Sequence, residues 1–272
     1  MKFLKYLGGF ILAAYLLIAI ALSVFQEALL FHPQPRARDY SYGNYAEEYV
    51  EVEPDISLNA ITIPAGAGAG PAAGVILYLH GNKGDNGRSL HQTRSFAGGY
   101  YDTYLVDYRG YGKSGGQIGG EENMTDDLQV VYNELKKRYT EDGIIIVGYS
   151  MGTGPATFLA ANNSPQAVIL VAPYTSLIDM KNEFFWMFPD FLINYELNNV
   201  RNLAQTKTPV TILHGTADRL IPVTMARTLA ATNPDRVTLM ELPGVNHRGA
   251  IFSPKLPQVV EELTKRATPG LR

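Results

Sequence analysis

The chain has no cysteine in its 272 residues. That absence excludes structural disulfides, thiolate catalysis and cysteine-ligated metal sites, and it suits an oxidising compartment. Charge is sparse, at 18% of residues, and the formal net charge is -3. No Lys/Arg run is long enough to track a phosphate backbone, so nucleic acid is not an expected partner. The glycine-bearing stretch Gly81 to Gly87 matches neither G-x-x-x-x-G-K-[ST] nor G-x-G-x-x-G, which argues against a nucleotide site. No His/Asp/Glu group has metal-ligand spacing, so neither a metal nor another cofactor is expected.

Apolar runs long enough to cross a bilayer are also missing, with one exception. Gly8 to Phe25 carries no charge, and only Tyr15 and Ser23 have polar side-chain groups. As a helix this run is about 27 Å long, close to the roughly 30 Å hydrocarbon core of a bilayer. A core helix of a soluble domain would show a polar face, and this run has none. Two readings remain: a single-pass anchor over residues 1–30, or a signal peptide cleaved near Ala19-Ile20-Ala21. The run exceeds the usual signal core, which favours the anchor. Lys2 and Lys5 precede it, while Arg36 and Arg38 follow with Glu27 and Asp39 nearby. This bias places the N-terminus in the cytoplasm and the remaining chain on the extracytoplasmic side. Signal cleavage would instead release a secreted protein.

From residue 31 to 272 the pattern predicts one domain. Phe31-His32-Pro33-Gln34-Pro35 reads as a stiff junction. Residues 45–53 and 57–63 partly alternate and suit a half-exposed antiparallel edge. Ala65 to Pro71 is a Gly/Ala-rich surface loop. Largely apolar stretches at 74–79, 101–106, 144–147, 167–172, 210–213 and 237–242 predict strands, those at 74–79 and 210–213 buried ones. Helical stretches at 88–99, 123–139, 224–231 and 256–265, with another after Gly154, fall between or after them. This alternation predicts a mostly parallel central sheet covered by helices on both faces. Ligands of such sheets bind beyond the strand C-termini.

One stretch carries the chemistry. Ile144-Ile145-Ile146-Val147 runs into Gly148-Tyr149-Ser150-Met151-Gly152, and a helix-compatible run follows. Strand, G-x-S-x-G and helix together form the expected nucleophile elbow, which lifts the Ser150 hydroxyl clear of the sheet. A serine hydroxyl needs a base to become nucleophilic, and histidine with an acid behind it supplies one. Asp218 and His247 both lie just past predicted strand ends, in the order serine, acid, histidine. His32 belongs to the junction, His80 and His214 close strands, and His91 lies on a predicted helix. Asp179 and Asp235 are rivals for the acid, and Asp107 reads as structural. A tetrahedral oxyanion needs two donors. The Met151 N–H follows the nucleophile, and the Asn82 N–H lies in the turn after the first parallel strand. Residues 174–200 form a short apolar insertion. With Tyr149 it offers Tyr174, Phe184, Trp186 and Phe188 as candidate substrate contacts, either as a small cap or as ordinary packing.

The motifs Leu79-His80-Gly81-Asn82, Asp107-Tyr108-Arg109-Gly110-Tyr111-Gly112-Lys113-Ser114, Gly148-Tyr149-Ser150-Met151-Gly152 and His214-Gly215-Thr216-Ala217-Asp218 resemble those of α/β-hydrolase serine hydrolases. The resemblance covers residues 40–268. With the apolar N-terminus running into Phe31-His32-Pro33, it extends to the membrane-anchored Bem46-like group, which includes relatives of protein depalmitoylases. It implies an α/β-hydrolase fold, a Ser150–Asp218–His247 triad and an Asn82/Met151 oxyanion hole. The cysteine-rich N-terminus of the animal depalmitoylases is absent here. The expected reaction is hydrolysis of an ester or thioester, with a small-molecule ester, lipid or acylated substrate. Amide or peptide hydrolysis on the same triad, or an inactive binding protein on the same fold, are the alternatives.

Overall fold

The computed structural model describes residues 2–66 and 72–266. Part of the predicted Ala65–Pro71 loop therefore lies outside the described residues. In chain order the elements are α1 (Lys2–Val24), α2 (Gln26–Leu30), β1 (His32–Pro33), β2 (Ala46–Glu53), β3 (Ile56–Ile63) and β4 (Val75–Leu79). There follow β5 (Lys83–Gly84), α3 (Asn86–Thr93), β6 (Asp102–Val106), α4 (Glu121–Lys136), β7 (Ile144–Tyr149) and α5 (Thr153–Asn162). The last part comprises β8 (Ala167–Val171), α6 (Leu177–Phe185), α7 (Asn199–Gln205), β9 (Val210–Gly215), α8 (Val223–Thr232), β10 (Val237–Leu242), α9 (His247–Ala250) and α10 (Lys255–Arg266).

Eight strands form one sheet in the order β10-β9-β8-β7-β4-β6-β3-β2. Only the pairings of β3, with β2 and with β6, are antiparallel. The predicted α/β fold, mostly parallel with helices on both faces, is the one observed. Residues of a strand point alternately to opposite faces, so every buried strand must supply two cores. In β4, Val75, Leu77 and Leu79 join the core that includes Leu128 of α4, Leu159 of α5, Leu203 of α7 and Leu229 of α8. Ile76 and Tyr78 face the other side, whose core includes Leu256 and Val259 of α10. Burial on both faces is why these strands read as unbroken apolar runs.

Boundaries differ where caps or turns override the hydrophobic pattern. The stretch predicted as helix over 88–99 is α3, which starts earlier because the Asp85 side chain accepts from the Arg88 N–H. It stops at Thr93, ahead of Gly98, whose φ of +75° no helix can continue. The sequence pattern predicts no helix over 199–205. There Asn198 caps α7 by accepting from the Arg201 N–H at 2.8 Å. The junction at His32-Pro33 is a short strand, paired in parallel with Lys83-Gly84 of β5. No local pattern announces a pairing between two-residue segments so far apart in sequence.

The β7–α5 connection is closely packed against the backbone around it. A Cβ on Gly148 would stand 2.7 Å from the Gly152 carbonyl oxygen. A Cβ on Gly152 would stand 2.1 Å from the Leu79 carbonyl oxygen and 2.6 Å from that of His80. These obstacles are backbone, so no rotamer change relieves them. We expect Gly152→Ala to lower stability by more than about 2 kcal/mol, the range of backbone strain and overpacking in a core. The midpoint of chemical unfolding measures this, and an unchanged midpoint would show that the β7–α5 connection is looser than described.

Candidate active site

The close approach of Gly148 and Gly152 forces the chain between them through a left-handed residue. That residue is Ser150, with φ of +53°. A non-glycine residue there is strained, and the surrounding packing must hold it. The result lifts the side chain beyond the C-terminal end of β7. Gly81 approaches from the β4 side, where an added Cβ would be 3.4 Å from the Ser150 Cβ.

Two further strand ends deliver partners to this hydroxyl. β9 ends at Gly215, and Asp218 follows in the turn. β10 ends at Leu242, and His247 opens α9, where the Asn246 side chain caps by accepting from the Gly249 N–H. The Ser150 Oγ lies 3.0 Å from His247 Nε2. His247 Nδ1 lies 2.8 Å from Asp218 Oδ2. A carboxylate only accepts, so Nδ1–H donates to Asp218 and leaves the Nε2 lone pair facing the serine hydroxyl. The other Asp218 oxygen accepts from the N–H groups of Leu220 (2.9 Å) and Ile221 (2.8 Å). Burial alone would raise the Asp218 pKa. The hydrogen bonds from His247 and from the Ile221 and Leu220 N–H groups outweigh it and hold the carboxyl below its ordinary value.

The other candidates fall out by position. Asp179 sits in the first turn of α6, where its N–H donates to the Ser176 cap. Asp235 lies on the exposed turn leading into β10, at the other end of the strands. His214 is fully buried; its Nε2 donates to the Ile221 carbonyl at 2.8 Å. Burial holds its pKa below the ordinary value, so it stays neutral at pH 7. His80 donates from Nδ1 to the Gly81 carbonyl at 2.6 Å, and burial lowers its pKa to about 4. Its Nε2 faces Asp107 at 3.6 Å, and burial pushes the Asp107 carboxyl well up. Burial thus favours the neutral form of both side chains beneath the β4 turn.

Tyr149 is buried beside the serine and stacks on the His247 ring, with centroids 5.6 Å apart. Burial pushes its pKa up to about 12, so the phenol stays uncharged next to the imidazole. Tyr174 is also buried and donates to the Met151 carbonyl at 3.3 Å. Phe184, in the last turn of α6, and Trp186, just after it, belong to an exposed apolar tip, at 50% and 75% exposure. Phe188 is buried against Tyr15 of α1, ring on ring at 5.0 Å.

The loop bearing Asn82 is held from three directions that the sequence pattern did not reveal. The Asn82 carbonyl accepts from the His32 N–H (2.8 Å) and from the Tyr111 hydroxyl (2.9 Å). The Asn82 side-chain amide donates to the Leu30 carbonyl at 2.9 Å. Arg36 adds an ion pair to Asp85 at 2.6 Å. Tyr111 belongs to the Asp107–Ser114 motif and was within reach of sequence reading. The His32 and Leu30 contacts were not. Among the described residues no group of three or more acidic, histidine or cysteine side chains is placed to hold a metal.

Residues 70–199 match the sequence profile of the family described as serine aminopeptidase, S33. The lysophosphatidylserine lipase ABHD12 of Danio rerio is 29% identical over 231 residues, covering 72% of this chain and 59% of that protein. The chain thus spans little more than half the length of that relative. The Gallus gallus protein of the same name is 27% identical over 275 residues, covering 84% and 71%. Among solved structures, the Pyrococcus furiosus esterase Pf2001 superposes with a TM-score of 0.66 at 18% identity, covering 87% of this chain and 98% of that one. Est1E from Butyrivibrio proteoclasticus gives 0.62 at 17%, covering 81% and 96%. At such identities the structural likenesses speak for the fold, and the sequence matches support a serine-hydrolase-type enzyme. Fold, elbow and sequence matches agree: the chain is an α/β-hydrolase-fold protein of the serine-hydrolase superfamily, related to lipase and esterase families.

Proposed function

We propose that this protein is a membrane-anchored serine hydrolase that cleaves a carboxylic ester or thioester with an apolar acyl group. The observation that carries the reading is the unbroken hydrogen-bond chain Ser150 Oγ–His247 Nε2 (3.0 Å) and His247 Nδ1–Asp218 Oδ2 (2.8 Å). His247 Nε2 takes the serine proton as Oγ attacks the carbonyl carbon. The new oxyanion is met by the N–H groups of Met151 and Asn82. His247 then gives its proton to the departing alkoxide or thiolate, leaving an acyl-serine. Water attacks that ester with His247 again as base, and Ser150 is regenerated. Asp218 holds the imidazole tautomer throughout and stabilises the imidazolium. Tyr149 and Tyr174 brace the elbow, and the exposed Phe184 and Trp186 of the insertion offer apolar surface to an acyl chain, while Phe188 is held on Tyr15.

The organisation we propose is an anchor over 1–30 and a catalytic domain over 31–272, with the insertion at 174–200. The domain stands on the extracytoplasmic side. This arrangement supports placement near the membrane-anchored Bem46-like group. The relatives named as lysophosphatidylserine lipases favour a lipid or acylated substrate. The family described as serine aminopeptidase favours a second reading, amide hydrolysis on the same triad.

Full-length protein in detergent micelles, assayed on p-nitrophenyl esters and acyl thioesters from acetyl to palmitoyl and on an aminoacyl p-nitroanilide, tests both. We expect turnover of longer acyl esters, with Ser150→Ala reducing kcat by about 10⁶-fold. Activity that falls steadily with acyl length would overturn the apolar-acyl reading, and turnover confined to the anilide would install the second. Asp218→Asn should lower kcat by roughly 10⁴-fold by freeing the wrong tautomer. Because the folded Asp218 pKa is depressed, its ionised form adds stability above its ordinary value near 4. That contribution disappears as pH falls through the folded value. The stability difference between wild type and Asp218→Asn should accordingly be flat down to about pH 4 and shrink below it. A difference that shrinks near neutral pH would contradict the assignment. Tyr111→Phe removes one restraint on Asn82. It should lower kcat roughly tenfold, about 1.4 kcal/mol of transition-state stabilisation, with little change in KM. An equal rise in KM would point to a substrate contact instead.

A further inference from the structure

The apolar tip between α6 and α7 is not free-standing. α1 turns one face toward it. Ala14, Tyr15, Ala19, Leu22, Ser23 and Gln26 are less exposed than their neighbours, at helical spacing. The Tyr15 hydroxyl donates to the Met187 carbonyl at 3.0 Å, and its ring stacks on Phe188. Farther along, the Gln26 side chain donates to the Leu192 carbonyl (3.4 Å) and accepts from the Asn194 N–H (2.8 Å). The Tyr195 hydroxyl donates to the Glu27 carboxylate. Residues 187–195 therefore run alongside the C-terminal part of α1 and the start of α2, from Tyr15 to Glu27.

Depth follows from helix geometry. Tyr15 lies nine residues before the end of α1 at Val24, which is about 13 Å along the axis at 1.5 Å per residue. If α1 spans a roughly 30 Å hydrocarbon core, its contact with Met187 and Phe188 falls near the middle of that core. The tip has the chemistry for such a place. Phe184 to Pro189 carries no charge. Phe184, Phe185, Trp186, Met187 and Phe191 are 45–81% exposed. Polar groups of the protein meet part of its irregular backbone, as hydrocarbon requires: the Phe188 N–H donates to the Phe185 carbonyl at 3.0 Å. Lys181 Nζ donates to the Phe188 carbonyl at 2.7 Å and to Asp190 Oδ1 at 2.6 Å, so the Asp190 carboxylate is held in an ion pair. The exposed carboxylate of Glu183 keeps the body of α6 out, so that only the tip enters.

We infer that the 184–191 tip is immersed in phospholipid acyl chains of the leaflet that surrounds the C-terminal half of α1, and that this second attachment sets the hydrolase domain against the bilayer. The inference rests on reading α1 as a membrane anchor. It makes lipid in that leaflet the nearest source of an acyl substrate for Ser150.

Trp186 is the only tryptophan in the chain, so its emission reports the tip without any substitution. Full-length protein is reconstituted into phosphatidylcholine vesicles, with or without dibrominated acyl chains, and vesicle association is checked by flotation. The expected result is blue-shifted emission, quenched severalfold by the brominated lipid and nearly insensitive to aqueous iodide. Protein that floats but is quenched by iodide and not by bromine overturns the inference and leaves the anchor reading intact. Emission protected from both quenchers overturns it too, because the tip then packs against protein. Failure to float overturns the inference and the anchor reading together.

Discussion

Everything at the candidate site depends on one backbone contact. Gly152 presses against the carbonyls of Leu79 and His80, leaving no room for a side chain. That contact draws the end of β7, the start of α5 and the turn after β4 into one unit. It also forces Ser150 into the left-handed region, a cost the chain bears because the neighbouring strands are buried on both faces. The strained serine, the Met151 N–H and the Asn82 loop are thus consequences of the same packing. A looser turn would spread them apart.

The second constraint is the tie between the N-terminal segment and that turn. Leu30 and His32 bond to Asn82, β1 pairs with β5, and Arg36 reaches Asp85. Phe31 is buried edge-on against Tyr195, which connects the same segment to the end of the insertion. The segment that leaves the apolar helix is therefore part of the scaffold around the hydroxyl rather than a tether.

Electrostatics at the site is built by exclusion. His80, Asp107 and His214 are buried around the strand ends, and burial shifts each toward its neutral form. Asp218 alone among these buried groups has enough donors to remain ionised. Its Oδ2 lies 2.8 Å from His247 Nδ1 and 3.5 Å from His214 Nε2, and of the two imidazoles only that of His247 reaches the serine hydroxyl.

Much of this was legible in one dimension. Four β-branched residues before G-x-S-x-G specify a buried strand ending in an elbow, because strand burial and close backbone approach are local demands on residue type. Apolar runs alternating with helical stretches specify a mostly parallel sheet, and such a sheet gathers Ser150, Asp218 and His247 at its C-terminal edge. Other features needed the folded chain. The cap of α7 at Asn198 and the early start of α3 at Asp85 turn on single hydrogen bonds, which periodicity does not register. The pairing of His32-Pro33 with Lys83-Gly84 is decided by where α2 ends in space. The places of Phe184, Trp186 and Phe188 were equally open, since aromatic side chains suit a pocket, a core or a membrane alike. Contact with Tyr15 on α1 separated them, burying Phe188 and leaving Trp186 exposed, because only tertiary packing determines which apolar surface finds a partner.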